Sequence, residues 1–141
     1  MEKSAFADFQ ERFNAVCAEK LRGEDLRPSQ RVDAWLPSLA AADDVLMGGV
    51  EKLRPFGLGN PEPVWGLKAL QVVGQPRIVG EAHLKLVLGE GEAQRDAIAF
   101  RMGKRTVPPG PLDVVCALTR DEYRGASRLQ LSIKDFHAAA E

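Results

Sequence analysis

At Val64 the apolar pattern of this 141-residue chain changes period, and that change constrains the fold more than any other feature. Before it, apolar residues recur at helical spacing. After it, they alternate with polar ones, as expected of strands that bury one face. Five strand candidates follow: Val64–Val73, Ile78–Leu88, Asp96–Met102, Leu112–Thr119 and Ser127–Phe136. Glycine, proline and charge clusters separate them, notably Gly89-Glu90-Gly91-Glu92 and Val107-Pro108-Pro109-Gly110-Pro111. Five short strands suit a small closed or partly closed barrel, because closure removes the edges such strands would otherwise expose.

The alternation also assigns faces. Leu84, Leu86 and Leu88 share one side, as do Ile98 with Phe100, Leu112 with Val114, Cys116 and Leu118, and Leu129 with Leu131 and Ile133. These residues are expected to form the barrel core. The opposite side then carries His83, Lys85, Arg101, Arg128, Gln130 and Lys134, with Asp113 the main acidic exception and no aromatic residue. A slip of one residue inverts the assignment on any strand.

Ahead of the barrel, Phe6, Phe9, Phe13, Val16, Cys17 and Leu21 form a helical stripe, which Gly23 can terminate. A stripe with three phenylalanines needs a surface to pack on. Val32–Leu36 is a possible short strand. Ser38 is expected to cap a second helix with apolar positions Leu39, Ala42, Leu46, Val50 and Leu53. Gly48-Gly49 within it costs roughly 1 kcal/mol per glycine relative to alanine. The division expected is a helical lead-in and connector over 1–54 and a barrel over 55–141. Trp35 and Trp65 are expected to pack where the two meet.

Composition narrows the function classes. A hydrophobic fraction of 45% and a charged fraction of 28% are those of a globular domain. No apolar run is long enough to span a bilayer, and Met1-Glu2-Lys3 does not open a signal peptide. Cys17 and Cys116 stand alone, so free thiols in a reducing cytoplasm are expected and a zinc site is not. Net charge is −1, but residues 1–62 hold 8 Lys/Arg against 11 Asp/Glu and residues 63–141 hold 11 against 9. That asymmetry permits a basic face on the second half.

Between the second helix and the first strand lies Leu53-Arg54-Pro55-Phe56-Gly57-Leu58-Gly59-Asn60-Pro61-Glu62-Pro63. Pro55, Pro61 and Pro63 fix φ and remove backbone donors, whereas Gly57 and Gly59 permit positive φ on either side of Leu58. Asn60 precedes a proline and is pushed toward extended geometry. The whole is a stiff connector, with Phe56 expected to anchor it at the helix–barrel junction.

This connector resembles the L-x-P-F-G-x-G-N-P-E-P segment at the entrance to the OB-like domain of RecJ-type single-stranded-DNA exonucleases. Weaker echoes follow in order: His83-Leu84-Lys85, Ala97-Ile98-Ala99-Phe100, Tyr123-Arg124-Gly125 and Leu129-Gln130-Leu131. The helix over 4–21 is similar to the last helix of the family's second, DHHA1-type domain. The resemblance implies an α+β fold, in which two N-terminal helices and a connector precede a five-stranded OB-like barrel. It also implies a non-catalytic part in 5′-to-3′ digestion of single-stranded DNA during recombination and repair. Partners implied are single-stranded DNA, the RecJ catalytic core and repair proteins.

Catalysis in that family rests on an N-terminal domain with an Asp-His-His motif, where Mn or Mg is expected. This chain has only His83 and His137 and no such motif, so no metal or other cofactor is expected on it. Two-metal hydrolysis needs several ligands holding ions roughly 3.5–4 Å apart. The candidate DNA contacts are His83, Lys85, Arg101, Lys104, Arg105, Tyr123, Arg124, Arg128, Gln130 and Lys134. Single-strand binders commonly stack bases on aromatic rings, and the expected outer face has none, leaving Tyr123 beside it. Weak binding by this chain alone is therefore expected. A module that packs on the nuclease core or docks repair proteins is the alternative.

Overall fold

The computed structural model describes residues 3–25, 28–80, 82–122, 125 and 127–140. The apolar stripe makes α1 (Lys3–Lys20), and Gly23 at φ +91° turns the chain out of it. Every described side chain from Ala5 to Lys20 is exposed except the half-buried Cys17. The Phe9 and Phe13 rings stack at 5.7 Å along this open stripe.

The expected short strand is β1 (Ala34–Trp35), parallel to the first barrel strand. The expected second helix is divided. A 3-10 turn spans Leu39–Ala41, and α2 (Asp44–Lys52) begins anew after Asp43. Ser38 makes no side-chain cap, whereas the Asp43 carboxylate accepts the Leu46 N–H at 2.8 Å. An aspartate cap satisfies one of the orphan donors of the first turn, and here it resets the helix phase. Leu39, Ala42, Met47 and Val50 are buried, while Leu53 stays exposed.

The strands are β2 (Trp65–Val72), β3 (Arg77–Val79), β4 (His83–Glu90), β5 (Ala93–Ala99), β6 (Leu112–Asp121) and β7 (Arg128–Ala138). The candidate over 78–88 is thus two strands, joined through Gly80 at φ +56°. Five of the strands close a ring in the order β2-β4-β5-β7-β6-β2. All its pairings are antiparallel except β5 with β7. The closing contact is short, Gln71 opposite Gly89 and Val72 opposite Leu88. This is the Greek-key barrel of an OB-like fold.

Inside the ring lie Leu67, Leu70, Leu84, Leu86, Leu88, Leu112, Val114, Cys116, Leu118, Leu131, Ile133 and Phe136. Leu129 is half-buried against this core. On β7 the inward positions change from odd to even because Lys134 is a bulge residue: Cys116 pairs with Ile133 and Val115 with Asp135.

The facing of β5 is the reverse of that expected from its sequence. Leu84 stands opposite Ala99 and Leu86 opposite Ala97, and directly opposed residues share a face. The leucines fill the narrow interior, so small alanines fit beside them, both fully buried. Ile98 and Phe100 therefore turn outward, and Phe100 is 54% exposed.

Candidate nucleic-acid interface

The outward turn of Ile98 and Phe100 builds a groove of about 660 Å³ across the outer face of β4 and β5. Val79, Lys85, Ile98, Phe100 and Gln130 line it, and Thr119 to Glu122, at the end of β6, form one rim. The floor combines aliphatic surface, one exposed aromatic ring and a lysine.

His83 supports the aromatic end. Its ring meets Phe100 edge-on at 5.1 Å, and its Nδ1 accepts the Arg101 N–H at 3.0 Å. Arg101 sits at φ +60°, a left-handed conformation uncommon for a non-glycine residue, and its side chain is exposed. Lys85 has a side chain 27% exposed and lies 3.8 Å from the Asp121 carboxylate. Arg77 on β3 stands directly opposite Lys85 and is exposed. Two like charges at opposed positions repel, and the Asp121 carboxylate beside Lys85 offsets part of that repulsion. At the rim, the Arg120 guanidinium bonds Glu51 at 2.9 Å and Asp44 at 2.8 Å. Those hydrogen bonds, Glu51's first, raise its pKa further and fix α2 against β6.

The other candidates are distributed differently. Gln130 belongs to the groove but is only 7% exposed. Arg105 bonds the Asp135 carboxylate and the Phe136 carbonyl, with its guanidinium 4.1 Å over the Phe136 ring. It fastens the loop after β5 to β7. Lys134 pairs with Glu62 at 3.4 Å. Arg128 borders a separate hollow with Asp44, Gln94, Arg95 and Asp96. Lys104 is exposed on the loop that also carries Arg105. Tyr123 and Arg124 lie outside the described residues. Among the described residues, no group of three or more His, Cys, Asp or Glu side chains is arranged to hold a metal ion.

The connector closes on itself. Gly57 and Asn60 exchange backbone hydrogen bonds at 2.9 and 3.1 Å around Leu58, with Gly59 at φ +86° and the Arg54–Pro55 peptide cis. Gly57 does not take positive φ. The Asn60 amide donates to the carbonyls of Leu53 and Pro55 at 2.8 and 2.9 Å, joining the end of α2 to the turn. Phe56 is only half-buried, with the Arg54 guanidinium 5.8 Å from its ring centroid. Pro55 and Pro61 are exposed, and Glu62 and Pro63 are half-buried as the chain enters β2.

Sequence reasoning missed Phe100, Ile98, Arg77 and the Thr119–Glu122 rim. The signal for the first two was the pair of alanines flanking Ile98, which suit a crowded interior better than isoleucine and phenylalanine do.

Ring order and groove together define an OB-type barrel. A family model described as the RecJ OB domain matches residues 32–135, and the chain belongs to that family. Crystal structures of RecJ from Thermus thermophilus, in complex with Mg2+ and with Mn2+, superpose with a TM-score of 0.74 at 24% identity. They cover 100% of this chain, which spans 21% and 20% of the RecJ chains. No curated protein sequence matches this one.

Proposed function

We propose that this chain is the non-catalytic, strand-holding portion of a RecJ-type 5′-to-3′ exonuclease, and that single-stranded DNA lies across the β4–β5 groove. The observation that carries this is the exposed Phe100 ring beside Lys85. Bases stack on an open aromatic ring whatever their identity, and nearby cations take the phosphates. The sequence alone offered charge without a stacking surface; Phe100 supplies one. The groove lies on the strand face that OB barrels use for oligonucleotides.

Arg77, Lys85 and Arg101 are the cations assigned to phosphate, and His83 holds the Phe100 ring in place. Asp121 and Glu122 on the rim offset part of this charge, so affinity from this chain alone is modest. Fluorescence anisotropy of a labelled oligothymidylate at two salt concentrations tests the proposal: affinity falls as salt rises if phosphates are neutralised. Absence of binding at low salt overturns it.

A second role is favoured by α1. Its stripe of Phe6, Phe9, Phe13 and Val16 is half exposed throughout, more apolar surface than a solvated helix presents. We assign this face to packing on the RecJ catalytic core, with the lead-in and connector over 1–54 as the docking part and 55–141 as the strand-holding part.

A further inference from the structure

We infer that Trp35 is a second stacking platform, separate from the groove, for one unpaired nucleotide whose phosphate is taken by Lys68. Trp35 lies on β1, where its backbone pairs in parallel with Gly66 of β2. Its ring rests flat on that glycine: a Cβ at Gly66 would come within 2.4 to 2.6 Å of three ring atoms. The β2 backbone is therefore the floor of the indole, and only glycine leaves room for it. Trp35 is 50% exposed, so the indole packs at the lead-in–barrel junction as expected on its Gly66 side and is open on the other.

Over the ring lies the Lys68 ammonium, 5.2 Å from its centroid. Lys68 is exposed and has no carboxylate partner among the described residues. Its position is set by an irregularity in β2. The register with β6 shifts between Leu67 and Leu70, leaving Lys68 and Ala69 both exposed. Ala69 takes φ +53°, and its N–H is held at 2.9 Å by Asp113, a carboxylate only 8% exposed. A left-handed alanine and a nearly buried aspartate are both unfavourable unless the surroundings enforce them. Together they place the Lys68 ammonium over the Trp35 indole.

A flat π surface beside an ammonium without a carboxylate partner matches a base and its phosphate. A polypeptide partner would want an apolar surround, and here a glycine lies against the ring and a lysine over it. An exposed cation–π contact is weaker than a base stacked on an aromatic side chain. A nucleotide therefore displaces the flexible Lys68 head from the ring and frees it for phosphate. The site is independent of the β4–β5 groove, although one strand can visit both.

The chain has two tryptophans, so the full-length Trp65→Phe variant leaves Trp35 as the single indole. Titration with oligothymidylate should quench its emission saturably, in step with the anisotropy of the same oligonucleotide. Trp35→Ala should weaken binding about tenfold. Lys68→Ala should flatten the log-affinity versus log-salt slope by about 0.7. Should Trp65→Phe not fold, the difference in quenching between the wild-type chain and Trp35→Phe reads the same contribution. Rising anisotropy with unchanged Trp35 emission would overturn this inference and leave the groove standing. No change in either signal would remove both.

Discussion

The carboxylate of Glu62, in the connector, lies 3.4 Å from the ammonium of Lys134, the bulge residue of β7. One end of the connector is thus tied to the barrel, and Asn60 ties the other to α2 through the Leu53 carbonyl. Asn60→Ala should therefore destabilise the chain by about 1–2 kcal/mol, because two carbonyls lose their donor. Gly59→Val should cost at least as much, roughly 1–3 kcal/mol, since φ +86° is closed to β-branched residues. Glu62→Gln should cost under about 1 kcal/mol, the pair being partly solvated. Urea unfolding curves measure all three. Equal midpoints for wild type, Asn60→Ala and Gly59→Val would show that the connector is not a structural clasp.

Phe56 contributes less than its place in the connector suggests. Its ring is half-buried, so Phe56→Ala should cost about 1–2 kcal/mol rather than the roughly 3–5 kcal/mol of a fully buried phenylalanine. The same unfolding experiment decides this.

The two thiols should behave oppositely. Cys116 is buried in the barrel, and burial pushes its pKa from 9.0 up to about 12, against the opposing charge of Lys134. A thiol reagent should label Cys17 in the folded chain and reach Cys116 only after unfolding. The raised pKa also sets a pH dependence. The unfolded chain loses this thiol proton from about pH 9 and the folded chain only near 12, so stability is lost progressively across that window. Cys116→Ala should show a shallower fall in melting temperature between those limits than wild type. Parallel curves would contradict it.

Charge variants separate groove cations from structural ones. A combined Arg77→Ala and Lys85→Ala variant should flatten the log-affinity versus log-salt slope by about 1.4, at about 0.7 per phosphate contact. Arg105→Ala should leave the slope unchanged but lower the melting temperature, because that guanidinium is engaged by Asp135 and Phe136. A slope that responds to Arg105 and not to Arg77 and Lys85 would move the interface to the β7 side.

Much of the fold was legible because leucine alternation is unambiguous where one face must be buried. Leu84, Leu86 and Leu88 marked β4, though not the break at Gly80 that sets β3 apart, and Leu112 to Leu118 marked β6. The connector was legible for a different reason, since prolines and glycines restrict backbone geometry locally. Two features were hidden. The facing of β5 depends on interior volume: alternation offers Ile98 and Phe100 for burial, and only the crowding of leucines on β4 makes the alanines the inward set. The start of α2 depends on a local hydrogen bond, in which Asp43 outcompetes Ser38. Arg77 was missed because its role comes from a cross-strand partner rather than a sequence neighbour.

The exposed Phe100 ring is what the proposed function depends on. The decisive measurement is anisotropy of a labelled oligothymidylate with wild type, Phe100→Tyr and Phe100→Ala at one low salt concentration. Because the ring is half exposed, Phe100→Ala should unfold at nearly the wild-type urea concentration. The expected result is affinity close to wild type for Phe100→Tyr and about tenfold weaker for Phe100→Ala, the range of one lost base stack. Equal affinity for all three folded proteins would contradict strand holding in the β4–β5 groove.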